Sequence, residues 1–214
     1  MSPARPLNQS DRLLTRRACL AAGLFVPASF LSGRAGAQSA QRAGAVETVR
    51  GEAFAQTDAA RRALEAAGPL FVRDKVGTGA ESRLAMRLGR NTLLRLGERA
   101  SVTLDRFLVD AGGEITLEAG PILFERPAGA APAPVQIRSP FGLIAVRGTR
   151  FFAGPSNNVF GVFVERGSVA VSAAGVRVVL ARGEGTNIAQ PGAAPTPPAR
   201  WGGPRIRAAL DSVR

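Results

Sequence analysis

From about Val46 to Leu180 the chain alternates apolar and polar residues with a period of two, and this pattern constrains its fold more than any other feature. Leu84, Met86 and Leu88 share one face while Arg83 and Arg87 share the other. Leu94 and Leu96 flank Arg95, and Val102 and Leu104 alternate with Thr103 and Asp105. Ile115 and Leu117, Ile122 and Phe124, Val135 and Ile137, Ile144 and Val146 continue the series. Phe160, Val162 and Val164, then Val169 and Val171, then Val176, Val178 and Leu180 close it. Side chains on a strand point to opposite faces in turn, so such segments are half-buried strands. Turn residues separate them. Asp110-Ala111-Gly112-Gly113 divides two strands, and Glu165-Arg166-Gly167-Ser168 and Ser172-Ala173-Ala174-Gly175 read as hairpin loops. No long amphipathic helix interrupts the region. The expected class is all-β: a single domain of many short antiparallel or solenoid-like strands, β-roll or β-helix-like, with a β-sandwich as the alternative.

Three segments stand outside this rhythm. Thr57 to Ala67 has local helix character, with Thr57 or Asp58 as a cap and Gly68 as a stop. Residues 191–200 are rich in proline and alanine and read as a linker. After it, Pro204 suits the first turn of a helix, and Ile206, Ala209, Leu210 and Val213 fall at helical spacing. Residues 201–214 are therefore expected to form a short helix that docks on the β domain together with Trp201.

The N-terminus reads as an export signal over residues 1–37. Arg16-Arg17 precedes an uncharged run from Ala18 to Gly33, too short for a comfortable membrane span and broken by Pro27. Ala35 and Ala37 supply the small-x-small pattern of a cleavage site near Ala37. The arginine pair resembles a twin-arginine signal, and an ordinary secretion signal is the alternative. The expected location is the periplasm, with membrane contact only through this segment before cleavage. Cleavage removes five arginines, one aspartate and the only cysteine, Cys19, so the net charge of +12 falls to about +8. The remaining charge is carried by arginine, with Lys75 the single lysine. Such a surface attracts anionic partners, though a genome-wide compositional bias explains it as well.

Missing residues limit the chemistry. The chain has no histidine and no tyrosine. With no imidazole and no mature thiol, the usual zinc and transition-metal ligand sets are absent, as are Ser-His-Asp and Cys-His arrangements. No metal and no cofactor are expected. Acid–base chemistry would fall to carboxylates such as Asp74, Asp105, Asp110, Glu114, Glu118 and Glu165, and no catalytic pair among them is visible in sequence. The expectation is a protein that is not an enzyme.

The order of several short motifs resembles the FecR domain. Gly68-Pro69-Leu70-Phe71-Val72-Arg73-Asp74-Lys75-Val76-Gly77-Thr78-Gly79 opens the pattern. Leu84 to Leu88, Leu93 to Leu96 and Leu117-Glu118-Ala119-Gly120 follow. Ser139 to Phe151 contains Val146-Arg147-Gly148-Thr149-Arg150-Phe151, and Val164 to Val169 and Leu180-Ala181-Arg182-Gly183-Glu184 end it. Together these span roughly residues 45–188, within an expected β domain of 38–190. The resemblance implies an all-β periplasmic fold, and in well-known members such a domain belongs to a membrane sensor controlling an extracytoplasmic sigma factor. This sequence shows no anti-sigma domain before its apolar run and little chain after residue 190, so a stand-alone binding or scaffold domain is the expectation. The resemblance also turns Arg61 to Leu64 from helix toward strand or loop.

The candidate site residues come from that signature. Gly148 suits a bend, and Thr149 is placed to satisfy a backbone group there. Arg147 is expected to pair with a carboxylate such as Glu165, while Arg147 and Arg150 are alternatively a site for an anionic ligand. Asp74, Gly77, Thr78 and Gly79 read as a turn device, and Gly167 and Gly183 as turn glycines. The expected function is a non-catalytic binding or sensory module that recognises an envelope protein or an anionic ligand, with a link to sigma-factor or envelope signalling. The arginine-bearing faces at Arg83, Arg87, Arg95 and Arg138 would form its binding surface. The alternatives are a carboxylate-based enzyme acting on polysaccharide and a structural subunit that uses an open sheet edge. Nucleic acid is not an expected partner, because export separates the chain from it.

Overall fold

Alternation along the sequence becomes hydrogen-bonded pairing in the computed structural model, which describes residues 41–214 except 58–59, 109–111 and 128–133. The side chains of Phe107, Leu108 and Arg147 also lie outside the description. So does the expected export signal, residues 1–37. Strand makes up 61% of the structure. The strands are β1 (Arg42–Arg50), β2 (Ala53–Gln56), β3 (Arg61–Ala63), β4 (Pro69–Phe71), β5 (Lys75–Thr78), β6 (Arg83–Leu88), β7 (Thr92–Leu96) and β8 (Ser101–Leu108). They continue with β9 (Gly112–Ala119), β10 (Ile122–Glu125), β11 (Val135–Ser139), β12 (Gly142–Ser156), β13 (Val159–Ala173), β14 (Val176–Leu180), β15 (Glu184–Ile188) and β16 (Ala199–Arg200). One helix, α1 (Gly203–Asp211), follows.

The long hairpin of β12 and β13 carries two arms of a curled sheet. The second half of β12 pairs with β10, which continues through β7, β6 and β1 to β4. The first half of β12 pairs with β11, which continues through β9, β8, β5 and β2 to β3. On its other side β13 pairs with β14 along one half and β15 along the other. All these ladders are antiparallel except that between β9 and β11. A pair of strands shared by two arms must bend where the arms part, and bulges supply such corners.

The inward faces of both arms meet in one apolar cluster. Leu84, Met86, Leu94, Leu96 and Phe124 from one arm join Val76, Val102, Leu104, Ile115, Leu117 and Ile137 from the other. Each fully buried side chain of this size contributes about 1.5–3 kcal/mol relative to exposure. The Phe124 and Phe151 rings lie 5.4 Å apart across the β10–β12 ladder.

A second cluster lies on the opposite face of the sheet. Leu123, Phe152 and Phe163 point away from the main core and would be exposed on a one-sided sheet. Trp201 and, from or just beyond α1, Ala209, Leu210 and Val213 cover them. The short C-terminal helix expected from sequence is present, with Pro204 in its first turn. Gly161 and Gly185 make room for the indole: a Cβ on either would lie 2.7 Å or 2.3 Å from Trp201 atoms. Arg205 stacks on the same ring at 3.6 Å and donates to Ser156 Oγ at 2.9 Å and Asn187 Oδ1 at 2.7 Å.

The segment read as a linker is tied down. Thr186 donates through its hydroxyl to the Thr196 carbonyl at 2.6 Å, and the Asn187 N–H donates to Thr196 Oγ1 at 3.0 Å. Two other readings are settled by pairing. Arg61–Ala63 is strand β3 against β2, so the tertiary ladder overrides local helix propensity. Glu165 to Ser168 is not a hairpin loop. It lies inside β13 as a bulge opposite Arg147 to Arg150, because β13 runs straight through to the next ladder. The second expected hairpin loop is present: Ala174 and Gly175, both at positive φ, turn β13 into β14.

Candidate functional site

The bend of the β12–β13 hairpin gathers most of the candidate residues. The register between the two strands shifts between Arg147 and Arg150. Gly148 has φ +59° and Gly167 has φ +84°, both in the left-handed region that favours glycine. Space differs at the two positions. A Cβ on Gly148 would meet nothing within 4 Å, whereas one on Gly167 would lie 2.7 Å from Thr149 Cγ2 and 2.9 Å from the Gly148 carbonyl oxygen.

Charged side chains stitch three strands together beside this bend. Arg150 Nε lies 2.9 Å from Glu165 Oε2, and its Nη1 lies 3.6 Å from Glu125 Oε2. Arg166 Nη2 lies 3.7 Å from Glu125 Oε1 and donates to the Arg126 carbonyl at 3.1 Å. The Arg150–Glu165 contact is close but poorly aligned for a hydrogen bond, so its attraction is mainly Coulombic. These groups are between 23% and 43% exposed, and each pair contributes about 0–1 kcal/mol after solvent screening. Arg150 and Glu165 are thus brought together. The Arg147 side chain lies outside the described residues, so its expected pairing with Glu165 does too, and Glu165 faces Arg150.

Thr149 departs from expectation. It is fully buried, yet its hydroxyl has no hydrogen-bond partner among the described residues. Its carbonyl accepts the Arg126 N–H at 2.9 Å, and its methyl packs against Gly167. The backbone and the methyl, rather than the hydroxyl, hold the bend.

Asp74 sits in the turn between β4 and β5, completely buried. It accepts two bonds from Arg62, at 3.1 Å and 2.5 Å, and one from the Phe71 N–H at 2.8 Å. Thr78 donates to the Gly97 carbonyl at 2.6 Å and accepts the Ala100 N–H at 3.0 Å. Gly77 leaves room for the Phe54 ring, which a Cβ would approach to 2.5 Å, and Gly79 leaves room for Glu52. Gly183 turns β14 into β15 at φ +83°. This motif is spent on turns and strand-to-strand ties.

A cleft of about 270 Å³ opens where three turns converge. Leu117, Pro140, Phe141, Pro155 and Phe160 form its walls, with Phe141 stacked on Phe160 at 4.4 Å and 5°. Glu118 is its carboxylate, ion-paired to Lys75 and hydrogen-bonded by Ser101 and Thr103 at 2.9 Å each. Burial alone would raise the Glu118 pKa, but hydrogen bonds from Lys75, Ser101 and Thr103 and the Lys75 charge outweigh it, and the net shift is downward. In sequence Phe141 belongs to the Ser139 to Phe151 signature and Glu118 to the scattered carboxylates. The cleft was hidden because its walls come from β9, the β11–β12 turn and the β12–β13 turn.

The match to a known family decides the class of this arrangement. Residues 74–170 match the family model described as FecR protein. Over those residues the chain matches a FecR domain. No curated protein matches it. Two crystal structures of a protein from Parabacteroides distasonis ATCC 8503, described as a "putative anti-sigma factor", share its fold with a TM-score of 0.53 and 15% identity. Each alignment covers 64% of this chain, and 64% or 63% of the solved chain.

The matched residues begin at the Asp74 turn and end within β13, so they enclose the charged bend and all five named cleft walls. They leave out β14, Trp201 and α1. Among the described residues no group of three or more Cys, Asp or Glu side chains is placed to hold a metal ion. The expected arginine surface is partly self-neutralised: Arg87 pairs with Glu47 and Arg138 with Glu114. Arg83 and Arg95 are half-buried.

Proposed function

We propose that this chain is an exported FecR-type binding module of the cell envelope that recognises a protein partner, contributes to sigma-factor or envelope signalling and catalyses no reaction. The observation that carries the proposal is the FecR match over residues 74–170, whose signature residues serve the bend and turns. The anti-sigma description of the P. distasonis neighbours agrees with a signalling role. Export and a periplasmic location rest on Arg16-Arg17, the apolar run that follows and the small residues at Ala35 and Ala37.

A catalytic reading draws little from the geometry. A two-carboxylate hydrolase needs carboxyl groups about 5–10 Å apart in one cleft. The apolar cleft offers Glu118 alone, and Lys75 holds it. Glu125 and Glu165 both engage Arg150 at the bend. An anionic ligand at Arg150 would have to displace those carboxylates, so a protein surface is the favoured target.

The test is genetic and biochemical. Deleting the gene is expected to change transcripts of one extracytoplasmic sigma regulon, and the tagged protein is expected to retain a partner from the periplasm at low salt and release it at high salt. Unchanged transcripts together with no retained partner overturn the reading, as does turnover of a polysaccharide by the purified protein.

A further inference from the structure

Resting on the reading of this chain as a protein-binding module, we propose that the free edge of β14 is the docking strand, and that it receives an extended, acidic segment of another protein. Among the described strands, β3, β4, β14 and β16 each pair on one side only. Sheet edges left open are templates for strand addition, and proteins blunt those they do not use. Three of the four are blunted. β3 has three residues, two of them the ion-paired Arg61 and Arg62. β4 has three residues and begins with Pro69, which has no N–H to donate. β16 has two residues and follows Pro197 and Pro198.

The fourth edge has none of these devices. β14 is the five-residue strand Val176–Leu180, with Arg177 its only charge. Val176 and Val179, 43% and 59% exposed, are the exposed large hydrophobic residues among the described residues. A shallow groove of about 260 Å³ crosses the sheet face inward from this edge, lined by Arg177 and by the successive cross-strand neighbours Val179, Ala170, Ala145 and Gln136. Val179 and Arg177 end this face at the open edge, so the side chains of an added strand would continue it. An added strand would extend the β13–β14 ladder, its backbone giving affinity and its alternate side chains giving choice.

Charge selects the occupant. The formal net charge, +12 for the whole chain and about +8 without residues 1–37, opposes a second copy of this chain. Arg177 is exposed and has no ion pair among the described residues. A carboxylate opposite it on the added strand would be an opposite-charge cross-strand pair. The segment that fits is therefore β-branched at alternate positions and carries Asp or Glu toward Arg177.

The probe is a fluorescein-labelled Thr-Val-Glu-Val-Thr-Val peptide titrated with the full protein, read by anisotropy. Saturable binding at low salt is expected, with β14 amides gaining protection from hydrogen exchange. Val179→Lys should weaken it about tenfold while leaving the fold intact, since the side chain is exposed. Arg177→Glu should reject this peptide and accept one with Lys in place of Glu. Absence of binding overturns the proposal, as does equal binding by Val179→Lys or by a peptide with proline at its central valine. A concentration-dependent dimer lost in Val179→Lys also overturns it, by assigning the edge to a second copy. A captured envelope partner that binds wild type and Val179→Lys alike leaves the module reading standing and removes the edge from it.

Discussion

The Arg205 guanidinium lies 3.6 Å over the Trp201 ring, and that ring stacks in turn on Phe163 at 5.2 Å. Arg205 comes from α1, Trp201 from the segment before it and Phe163 from β13, so one stack joins helix, strap and sheet. Burial also lowers the Arg205 pKa from its ordinary value, by penalising the charged form.

Trp201→Ala is expected to lower unfolding stability by about 3–5 kcal/mol, the usual cost of removing a large buried aromatic. Arg205→Ala is expected to cost less, about 1–2 kcal/mol, because it removes one cation–π contact and the bonds to Ser156 and Asn187. Urea unfolding of both single variants and the double variant checks this, and the two losses should fall short of additive.

The same stack shows what the sequence could and could not convey. Period-two alternation reads directly as strands because strand geometry fixes which face each residue takes, and Leu84, Met86 and Leu88 are buried as the pattern implies. Leu123, Phe152 and Phe163 break that pattern, and the break signals a sheet face covered by another element. Which element covers it depends on Gly161 and Gly185 leaving room for Trp201, a tertiary fact with no local signature. Gly167 was legible as a glycine needing positive φ, but not as a bulge, since a loop and a bulge make the same local demand. Strand order, and therefore the open edge at β14, depends on long-range pairing that alternation does not encode. The pairing of Arg150 with Glu165 has the same origin, in a register shift between strands.

Gly148 and Gly167 separate conformational strain from lack of space. Gly148→Ala meets open space, so it pays for the left-handed backbone alone, about 1–2 kcal/mol. Gly167→Ala meets that cost and also drives a methyl against Thr149 and the Gly148 carbonyl. Its loss should exceed that of Gly148→Ala by about 1–3 kcal/mol, the usual range for overpacking. Thermal unfolding of the two variants under one condition ranks them, and equal losses would show that Gly167 is not held by that contact.

Asp74 and Arg62 make an unequal pair, the carboxylate fully buried and the guanidinium about a third exposed. Arg62→Ala strips Asp74 of two hydrogen bonds and its counter-charge, leaving the Phe71 N–H. Removing one partner of a buried pair costs about 3–5 kcal/mol, and partial exposure of Arg62 places this case at or below the lower end. The expected outcome is a lower urea midpoint for Arg62→Ala, with part of the loss recovered in Arg62→Ala/Asp74→Asn, where no lone charge remains in the turn. No recovery would show that the shape of the pair, rather than its charge, holds the turn.

Glu118 gives the stability of the fold a pH signature on the acid side. Burial raises its pKa, the bonds from Lys75, Ser101 and Thr103 with the Lys75 charge lower it by more, and the folded value lies below the ordinary 4.5. The folded state therefore holds this proton less tightly than the unfolded chain. Its contribution is complete well above pH 4.5, declines as the pH falls below that value and is gone once the pH has passed the folded pKa. In Glu118→Gln the acid limb of a plot of stability against pH should become shallower, while the neutral region drops to a lower plateau because Lys75 loses its partner. Lys75→Met should also make the limb shallower by removing the Lys75 bond and charge, while the bonds from Ser101 and Thr103 remain. Urea midpoints measured from neutral pH down through the carboxylate range decide it. An unchanged acid limb in both variants would show that the carboxylate at the lip of the apolar cleft contributes no net pH dependence.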